Sequence, residues 1–110
     1  MKLPNAEQAI IQTEKILDYL LSTAHPVGKF KAIFFQSLGY REDDWETLKR
    51  DLRKLLARDA QFKERTEYGQ KYEVRGTLSG PAGKTAEIIT VWIILNGEEY
   101  PRFITAYPGD

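Results

Sequence analysis

Hydrophobic residues recur at three- and four-residue intervals through the first sixty positions, and this spacing predicts helices. The first predicted helix covers residues 14–22, with Thr13 as its cap. The second begins at Pro26, a residue favoured at the first helical position, with His25 in the cap position, and ends at Gly39. The apolar positions of this second helix are Phe30, Ile33, Phe34 and Leu38.

A third predicted helix begins at Asp43 or Asp44 and ends near Ala60, with acidic residues where the positive end of the helix dipole favours them. Its apolar stripe consists of Trp45, Leu48, Leu52, Leu55 and Leu56. Its basic residues repeat at four-residue spacing on the other faces, and they are Lys49, Arg50, Arg53, Lys54 and Arg58. We expect this helix to pack by its stripe and to expose its cations.

From Phe62 onward the hydrophobic period changes to two, which is typical of strands. Turn signals at Tyr68-Gly69, in the segment 79–83 and at Asn96-Gly97 divide this part of the chain. The four predicted strands cover residues 62–67, 71–78, 85–95 and 100–107. Short links favour antiparallel neighbours, so we predict an α+β fold in which about three N-terminal helices pack on one face of a four-stranded antiparallel meander.

The composition fits one folded domain over residues 1–110. The chain contains 42% hydrophobic and 29% charged residues, no Cys and one His. These counts exclude disulfides, Cys-ligated metals and multi-His metal sites, and they predict a cytoplasmic protein without a cofactor. The longest apolar run, IITVWIIL, is far shorter than the about 18 residues that cross a bilayer, so no membrane association is predicted.

The net charge of zero hides an uneven distribution of charged residues. Residues 25–40 contain two Lys and no acidic residue, and residues 48–58 contain five basic residues against one Asp. A neutral chain can therefore still present a basic surface to RNA.

His25 is the natural candidate for proton transfer, because histidine is the side-chain type whose ordinary pKa lies near neutrality. It precedes a predicted helix start, where unsatisfied backbone amides favour anions. The alternative is that His25 only caps this helix. Lys29 and Lys31 are candidates for phosphate binding, with a simple solvated helix face as the alternative.

The C-terminal segment YPRFITAYP holds further candidates. Strand alternation places Arg102, Ile104 and Ala106 on one face and Phe103, Thr105 and Tyr107 on the other. With Phe103 buried, Thr105 and Tyr107 would partly line the core, and Arg102 would lie opposite unless a bulge changes its direction.

Three stretches carry a resemblance to known proteins: HPVGKFKAIFFQSLGY, YGQKYEVRGTLSGPAGKTAEIITVWI and PRFITAYP. Together they resemble an uncharacterised family of bacterial domains found alone and in toxin-like contexts. The order of helices followed by a four-stranded sheet also resembles the barnase, EndoU, colicin and RelE-like superfamily of small ribonucleases.

The second resemblance implies a metal-independent endoribonuclease toxin that cleaves RNA by attack of the ribose 2′-hydroxyl, with an antitoxin or immunity protein as a partner. In that reaction His25 would act as acid or base, and Lys29 or Lys31 together with Arg102 would stabilise charge. The remaining site residues would orient the phosphate (Thr105 and Tyr107) or stack an RNA base (Tyr72 or Trp92).

The rival hypothesis is a non-catalytic protein-binding module, such as an immunity-like or structural interaction domain. The ribonuclease hypothesis requires His25, one of the two lysines, and Arg102 or Thr105 to lie within about 10 Å around a groove. The rival predicts that His25 and Arg102 share no cleft. The sequence carries no signal for the oligomeric state.

Overall fold

The sheet is the framework of the fold. In the computed structural model, which describes residues 1–26 and 29–109, four antiparallel strands follow the order β1-β2-β3-β4. The strands are β1 (Ala60–Arg65), β2 (Gly69–Ser79), β3 (Thr85–Leu95) and β4 (Arg102–Pro108). The predicted α+β meander with its helices before the strands is confirmed. The limits predicted for β3 match, and the limits of the other strands differ by one or two residues.

Three helical segments precede the sheet. They are α1 (Thr13–Lys15), which continues as a π-helical turn (Ile16–Leu20), then α2 (Lys29–Ser37) and α3 (Trp45–Lys54). Short 3₁₀ turns cover Ala6–Gln8, Glu42–Asp44 and Leu55–Ala57. None of these described helices is both long enough and apolar enough to span a membrane.

The first two helices differ from their predicted limits. Thr13 lies inside α1 rather than capping it, because Gln12 occupies the cap position. The predicted start of the second helix at Pro26 falls beside residues 27 and 28, which lie outside the described part of the chain. Its predicted end is confirmed: Gly39 has a φ of 104°, a left-handed conformation that favours glycine, and the amide of Tyr40 donates to the carbonyl of Phe35 at 3.3 Å.

The third helix is shorter than predicted. It ends at Lys54, a 3₁₀ turn follows, and Ala60 is already the first residue of β1. Its predicted stripe does pack inward, since Leu48, Leu52, Leu55 and Leu56 are all buried.

The core lies between the helices and one face of the sheet. On the sheet side, β3 buries Ile88, Thr90 and Trp92. The Trp92 Nε1 donates to Thr90 Oγ1 at 2.8 Å, and this hydroxyl donates to the Val74 carbonyl at 3.0 Å. The helical side contributes Ile16, Leu20, Leu21, Phe35, Leu48 and Leu52.

The hydrophobic stripe predicted for the second helix is only partly correct. Helix α2 buries Ala32 and Phe35, whereas Phe30 is 70% exposed and Ile33 is 62% exposed. The helix carries apolar residues on two sides, and the core covers the side that the stripe prediction did not choose.

A bulge in β4 changes which of its side chains share a face. Trp92 pairs with Phe103 and Val91 pairs with Thr105, so one extra residue lies in β4 between these pairs. Ala106 therefore joins Phe103 in the core, while Thr105 and Tyr107 lie on the outer face with Arg102. This corrects the simple alternation, which had placed Thr105 and Tyr107 toward the core.

Candidate functional site

A surface cavity of about 510 Å³ lies where the π-helical turn meets β4. This edge of the sheet is partly covered by the N-terminal segment, because the amide of Ile10 donates to the carbonyl of Pro101 at 2.9 Å. The cavity lining consists of Gln12, Glu14, Lys15, Asp18, Tyr19, His25, Ile104 and Thr105. Residues far apart in sequence therefore meet at one groove.

His25 lies at this cavity in a half-buried position. Its ring meets the ring of Tyr19 edge to face, with 5.1 Å between centroids and 81° between planes. Its carbonyl accepts a hydrogen bond from the Lys29 amide at 3.0 Å, so the backbone of His25 forms the turn that leads into α2. The imidazole is thus held at the cavity by both its ring contact and its backbone.

Tyr19 connects His25 to β4. The Thr105 hydroxyl donates to the Tyr19 phenol oxygen at 3.3 Å, and the bulge is what directs Thr105 outward to make this contact. Tyr19 packs against the core as well, so its position is determined by neighbours on several sides.

Lys31 brings a cation from α2 to the same place. Its ammonium donates to the Ala106 carbonyl at 3.2 Å. The same ammonium lies 5.9 Å from the ring centroid of Tyr19 and 5.4 Å from that of Tyr107, within the range of a cation–π interaction. An ammonium group has three N–H donors, so this contact leaves others for a ligand.

Tyr107 extends the cluster across the outer face of the sheet. Its hydroxyl donates to Glu73 Oε2 at 3.2 Å, and Lys63 Nζ lies 3.7 Å from Glu73 Oε1. Burial raises the pKa of Tyr107 above its ordinary value, and the charge and hydrogen bond of Glu73 raise it further. We call the cluster of Tyr19, His25, Lys31, Thr105 and Tyr107 the β4 site.

The charge at the β4 site is mixed. Lys15 and Lys31 supply positive charge, and the Lys15 ammonium lies 5.8 Å from the Tyr19 ring centroid. Glu14 and Asp18 also line the cavity and would repel an anion. Binding of a polyanion here therefore depends on the lysines and on contacts outside the cavity.

Arg102 lies away from this cavity. Its guanidinium makes two hydrogen bonds to Glu98, at 2.9 and 3.0 Å, and lies 5.3 Å from the Tyr100 ring centroid. The hydrogen bond from Arg102 holds the pKa of Glu98 below its usual value, and the same pair raises the pKa of Arg102. Arg102 is therefore committed to the β3–β4 turn.

Three other predicted site residues lie outside the β4 site. The Lys29 ammonium lies 5.2 Å from the Phe30 ring centroid on the exposed side of α2. Trp92 is fully buried in the core, and Tyr72 is 7% exposed with its hydroxyl donating to Gln70 at 3.0 Å. The two rings offer no open face on which a base could stack, because the core packs against them.

Sequence reasoning missed two members of this region, Tyr19 and Glu73. Tyr19 belongs to an apolar helical cluster, and nothing in its spacing signals a contact with Thr105. Glu73 alternates with buried residues on β2, which indicates an outer-face position, but its contact with Tyr107 depends on how three strands are aligned.

No group of three His, Cys, Asp or Glu side chains arranged to hold a metal ion occurs within residues 1–26 and 29–109. The side chains that meet at the β4 site are an imidazole, an ammonium, a hydroxyl and two phenols. These groups can exchange a proton, stabilise negative charge and donate hydrogen bonds.

Together, the fold and site define a class of small α+β domains with helices on one face of an antiparallel meander and a polar cluster at the edge of the last strand. Within that class, a family model described as domain of unknown function (DUF6883) matches residues 2–110, and the chain belongs to this family. No curated protein matches the sequence.

A solved structure shares the fold. It is described as a contact-dependent growth inhibition toxin - immunity protein complex from Klebsiella pneumoniae 342. The superposition has a TM-score of 0.72 and 18% sequence identity, and covers 96% of this chain and 97% of the other. At this identity the likeness establishes a common fold, and the toxin-like context expected from the sequence agrees with it.

Proposed function

We propose that this chain is a toxin domain that cleaves RNA by attack of the ribose 2′-hydroxyl, without a metal ion. The observation that carries the proposal is the convergence of His25, Lys31 and Thr105 on one surface groove. The sequence alone required this arrangement of a proton-transfer group, a cation and a hydrogen-bond donor.

The proposed reaction needs few groups. A base takes the proton of the 2′-hydroxyl, the 2′-oxygen attacks phosphorus, and the bond from phosphorus to the 5′-oxygen breaks. An acid gives the departing 5′-oxygen a proton, which leaves a 2′,3′-cyclic phosphate and a 5′-hydroxyl. His25 carries one of these two proton transfers, and water carries the other.

The other residues of the β4 site bind and orient the phosphate. Lys31 stabilises the extra negative charge on the phosphate oxygens as the 2′-oxygen bonds to phosphorus. The hydroxyl groups of Thr105 and Tyr107 donate hydrogen bonds that hold the phosphate in line with the attacking oxygen. Arg102 takes no part, because Glu98 already occupies its donors.

Two further points support the proposal. The fold is shared with a chain from a toxin - immunity protein complex. In addition, the RNA that such a domain would cleave lies in the cytoplasm, which agrees with the cysteine-free composition.

Purified wild-type protein incubated with total RNA in the presence of EDTA tests the proposal. We expect cleavage that continues in EDTA and leaves 2′,3′-cyclic phosphate ends, identified by end-specific ligation. His25→Ala should lower the rate by about 10²- to 10⁴-fold, because this is the usual contribution of a positioned proton-transfer group.

Lys31→Ala should also lower the rate, and Lys84→Ala is its matched control. Lys84 is an exposed lysine in the turn between β2 and β3, away from the β4 site. Intact RNA with the wild-type protein, or equal rates for wild type and His25→Ala, would contradict the proposal.

An immunity-like protein-binding role is the second candidate. The position of Arg102 favours it, because Arg102 is not part of the cavity that His25 lines, as this role predicts. A chain of this kind would leave RNA intact and would protect cells against a co-expressed toxin domain. Growth of cells expressing the chain, with and without such a toxin, distinguishes the two roles.

A further inference from the structure

Helix α2 turns two large hydrophobic side chains toward solvent. Phe30 is 70% exposed and Ile33 is 62% exposed, and residues three apart lie on the same side of a helix. Phe34, the next residue, is only partly buried. The result is an apolar strip on the outer side of α2, which we call the α2 strip (Phe30 and Ile33).

The α2 strip is not needed to pack the helix against the rest of the protein. Ala32 and Phe35 on the other side of α2 are fully buried and already attach the helix to the core. A helix that is apolar on a second side usually has a second neighbour. Exposed neighbouring hydrophobic residues typically mark an interaction site, because water contact with apolar surface is unfavourable.

The charges around the α2 strip are of one sign. Helix α2 contains two lysines and no acidic residue, and residues 25–40 contain no Asp or Glu. The Lys29 ammonium lies directly beside the strip, 5.2 Å from the Phe30 ring centroid. A surface with an apolar centre and a positive rim fits a partner with an apolar groove and an acidic rim.

A protein fits the α2 strip better than RNA does. RNA-binding surfaces combine cations with aromatic rings on which bases stack, and Phe30 beside Lys29 alone would suit that role. Ile33 has no ring and offers only aliphatic surface, almost as exposed as Phe30. Burial of an exposed isoleucine is favourable in a hydrophobic groove, as when an amphipathic helix docks through side chains at three- and four-residue spacing.

We infer that α2 docks an acidic partner protein, which seats Phe30 and Ile33 in an apolar groove. Lys31 of the β4 site belongs to the same helix, so a protein bound to the α2 strip lies next to the proposed RNA-cleaving groove. The inference therefore names a partner that would also restrict access to the β4 site, and only this last point rests on the proposed function.

The binding experiment uses the protein encoded by the reading frame directly beside the gene for this chain, because a toxin needs a co-expressed inhibitor in the cell that makes it. Isothermal titration calorimetry with the two purified proteins should give a one-to-one complex. Phe30→Ala and Ile33→Ala should each weaken binding by about tenfold or more, as expected at the centre of an interface. Lys29→Glu should weaken binding most at low salt.

Tyr68→Ala is the matched control, since Tyr68 is 68% exposed and lies in the turn between β1 and β2. It should change the dissociation constant by less than about twofold. Thermal unfolding of each variant verifies that the fold is intact. Because the replaced side chains are exposed, we expect midpoints close to that of the wild type.

Four results would overturn the inference. The neighbouring protein does not bind, or it binds the Phe30 and Ile33 variants as tightly as the wild type. Sedimentation shows that the wild type self-associates through the strip and Ile33→Asp does not, or the two alanine variants lose RNA binding instead. Absence of RNA cleavage by the wild type contradicts only the proposed function, because the calorimetry does not depend on cleavage.

Discussion

The hydroxyl of Thr105 donates a hydrogen bond to the phenol oxygen of Tyr19, and the two oxygens are 3.3 Å apart. This contact joins the last strand to the π-helical turn beside His25. It exists because the β4 bulge turns Thr105 to the outer face, so the local geometry of one strand determines how the β4 site is assembled.

Thr105→Val tests whether this hydroxyl serves catalysis or only structure. Valine keeps the shape of the side chain and removes the donor, so the free energy of unfolding should fall by no more than about 1.5 kcal/mol. RNA cleavage should fall by about tenfold or more, because a donor aimed at the reacting phosphate is lost. Single-turnover cleavage rates and urea unfolding measure the two effects.

Thr85→Val is the control for this substitution, since Thr85 is exposed at the start of β3, away from the site. Its cleavage rate should equal that of the wild type. If Thr105→Val cleaves RNA at the wild-type rate, Thr105 does not contact the phosphate.

Thr90→Val should destabilise the protein more than other threonine substitutions. The Thr90 hydroxyl accepts from Trp92 Nε1 and donates to the Val74 carbonyl, and both Thr90 and Trp92 are fully buried. Valine leaves the indole N–H without an acceptor, which should cost about 1–3 kcal/mol. Urea unfolding followed by Trp fluorescence measures the change.

Thr90→Ser provides the comparison, because serine keeps the hydroxyl and loses only a methyl group. If the hydrogen bonds matter, Thr90→Ser should be more stable than Thr90→Val. The reverse order would show that packing of the methyl group dominates at this position.

Tyr40 should make the protein sensitive to alkaline pH. Its side chain is buried, and its hydroxyl donates to Asp51 Oδ2 at 2.7 Å. Burial raises the pKa of Tyr40, and the hydrogen bond to Asp51 raises it further. Because the unfolded state ionises first, stability is complete below the ordinary tyrosine pKa of about 10 and falls as the pH rises above it.

Tyr40→Phe removes this ionisation. At neutral pH the variant should lose about 1–3 kcal/mol, the usual contribution of a hydrogen bond to a charged group. Above pH 10 its stability should fall less steeply than that of the wild type. Urea midpoints measured from pH 7 to 11 give both slopes, and parallel slopes would contradict the role of Tyr40.

The accuracy of the sequence predictions depended on how local each signal was. The limits of β3 were predicted correctly, because a run of β-branched and aromatic residues lies between two turn sequences that contain glycine. The end of α2 at Gly39 was also a local signal, since the left-handed conformation there favours glycine.

Features that depend on tertiary packing were not predictable. Helix α2 has apolar residues on two sides, and only the complete fold decides that Phe35 is buried and Phe30 is not. A bulge cannot be recognised from alternation, so the faces of Thr105 and Ala106 were assigned wrongly. In the β4 site, residue chemistry identified His25 and Lys31, but Tyr19 joins them only through contacts across the chain.

Glu73→Gln should lower the pKa of Tyr107. The Tyr107 hydroxyl donates to Glu73 Oε2 at 3.2 Å, and burial together with the negative charge of Glu73 holds this pKa above its ordinary value. Glutamine keeps the shape and an acceptor oxygen but removes the charge, while Arg75 remains and favours the ionised phenol. The shift is therefore downward, toward the ordinary value of about 10.

Tyrosine ring-carbon chemical shifts followed by NMR from pH 8 to 12 measure this pKa directly, with Tyr107→Phe assigning the resonance. Glu64→Gln is the control, because Glu64 is an exposed glutamate on β1 and should leave the Tyr107 titration unchanged. An unchanged pKa in Glu73→Gln would mean that Glu73 and Tyr107 do not stay paired in solution. In that case Lys31 alone, through its ammonium 5.4 Å from the Tyr107 ring centroid, would link this phenol to the β4 site.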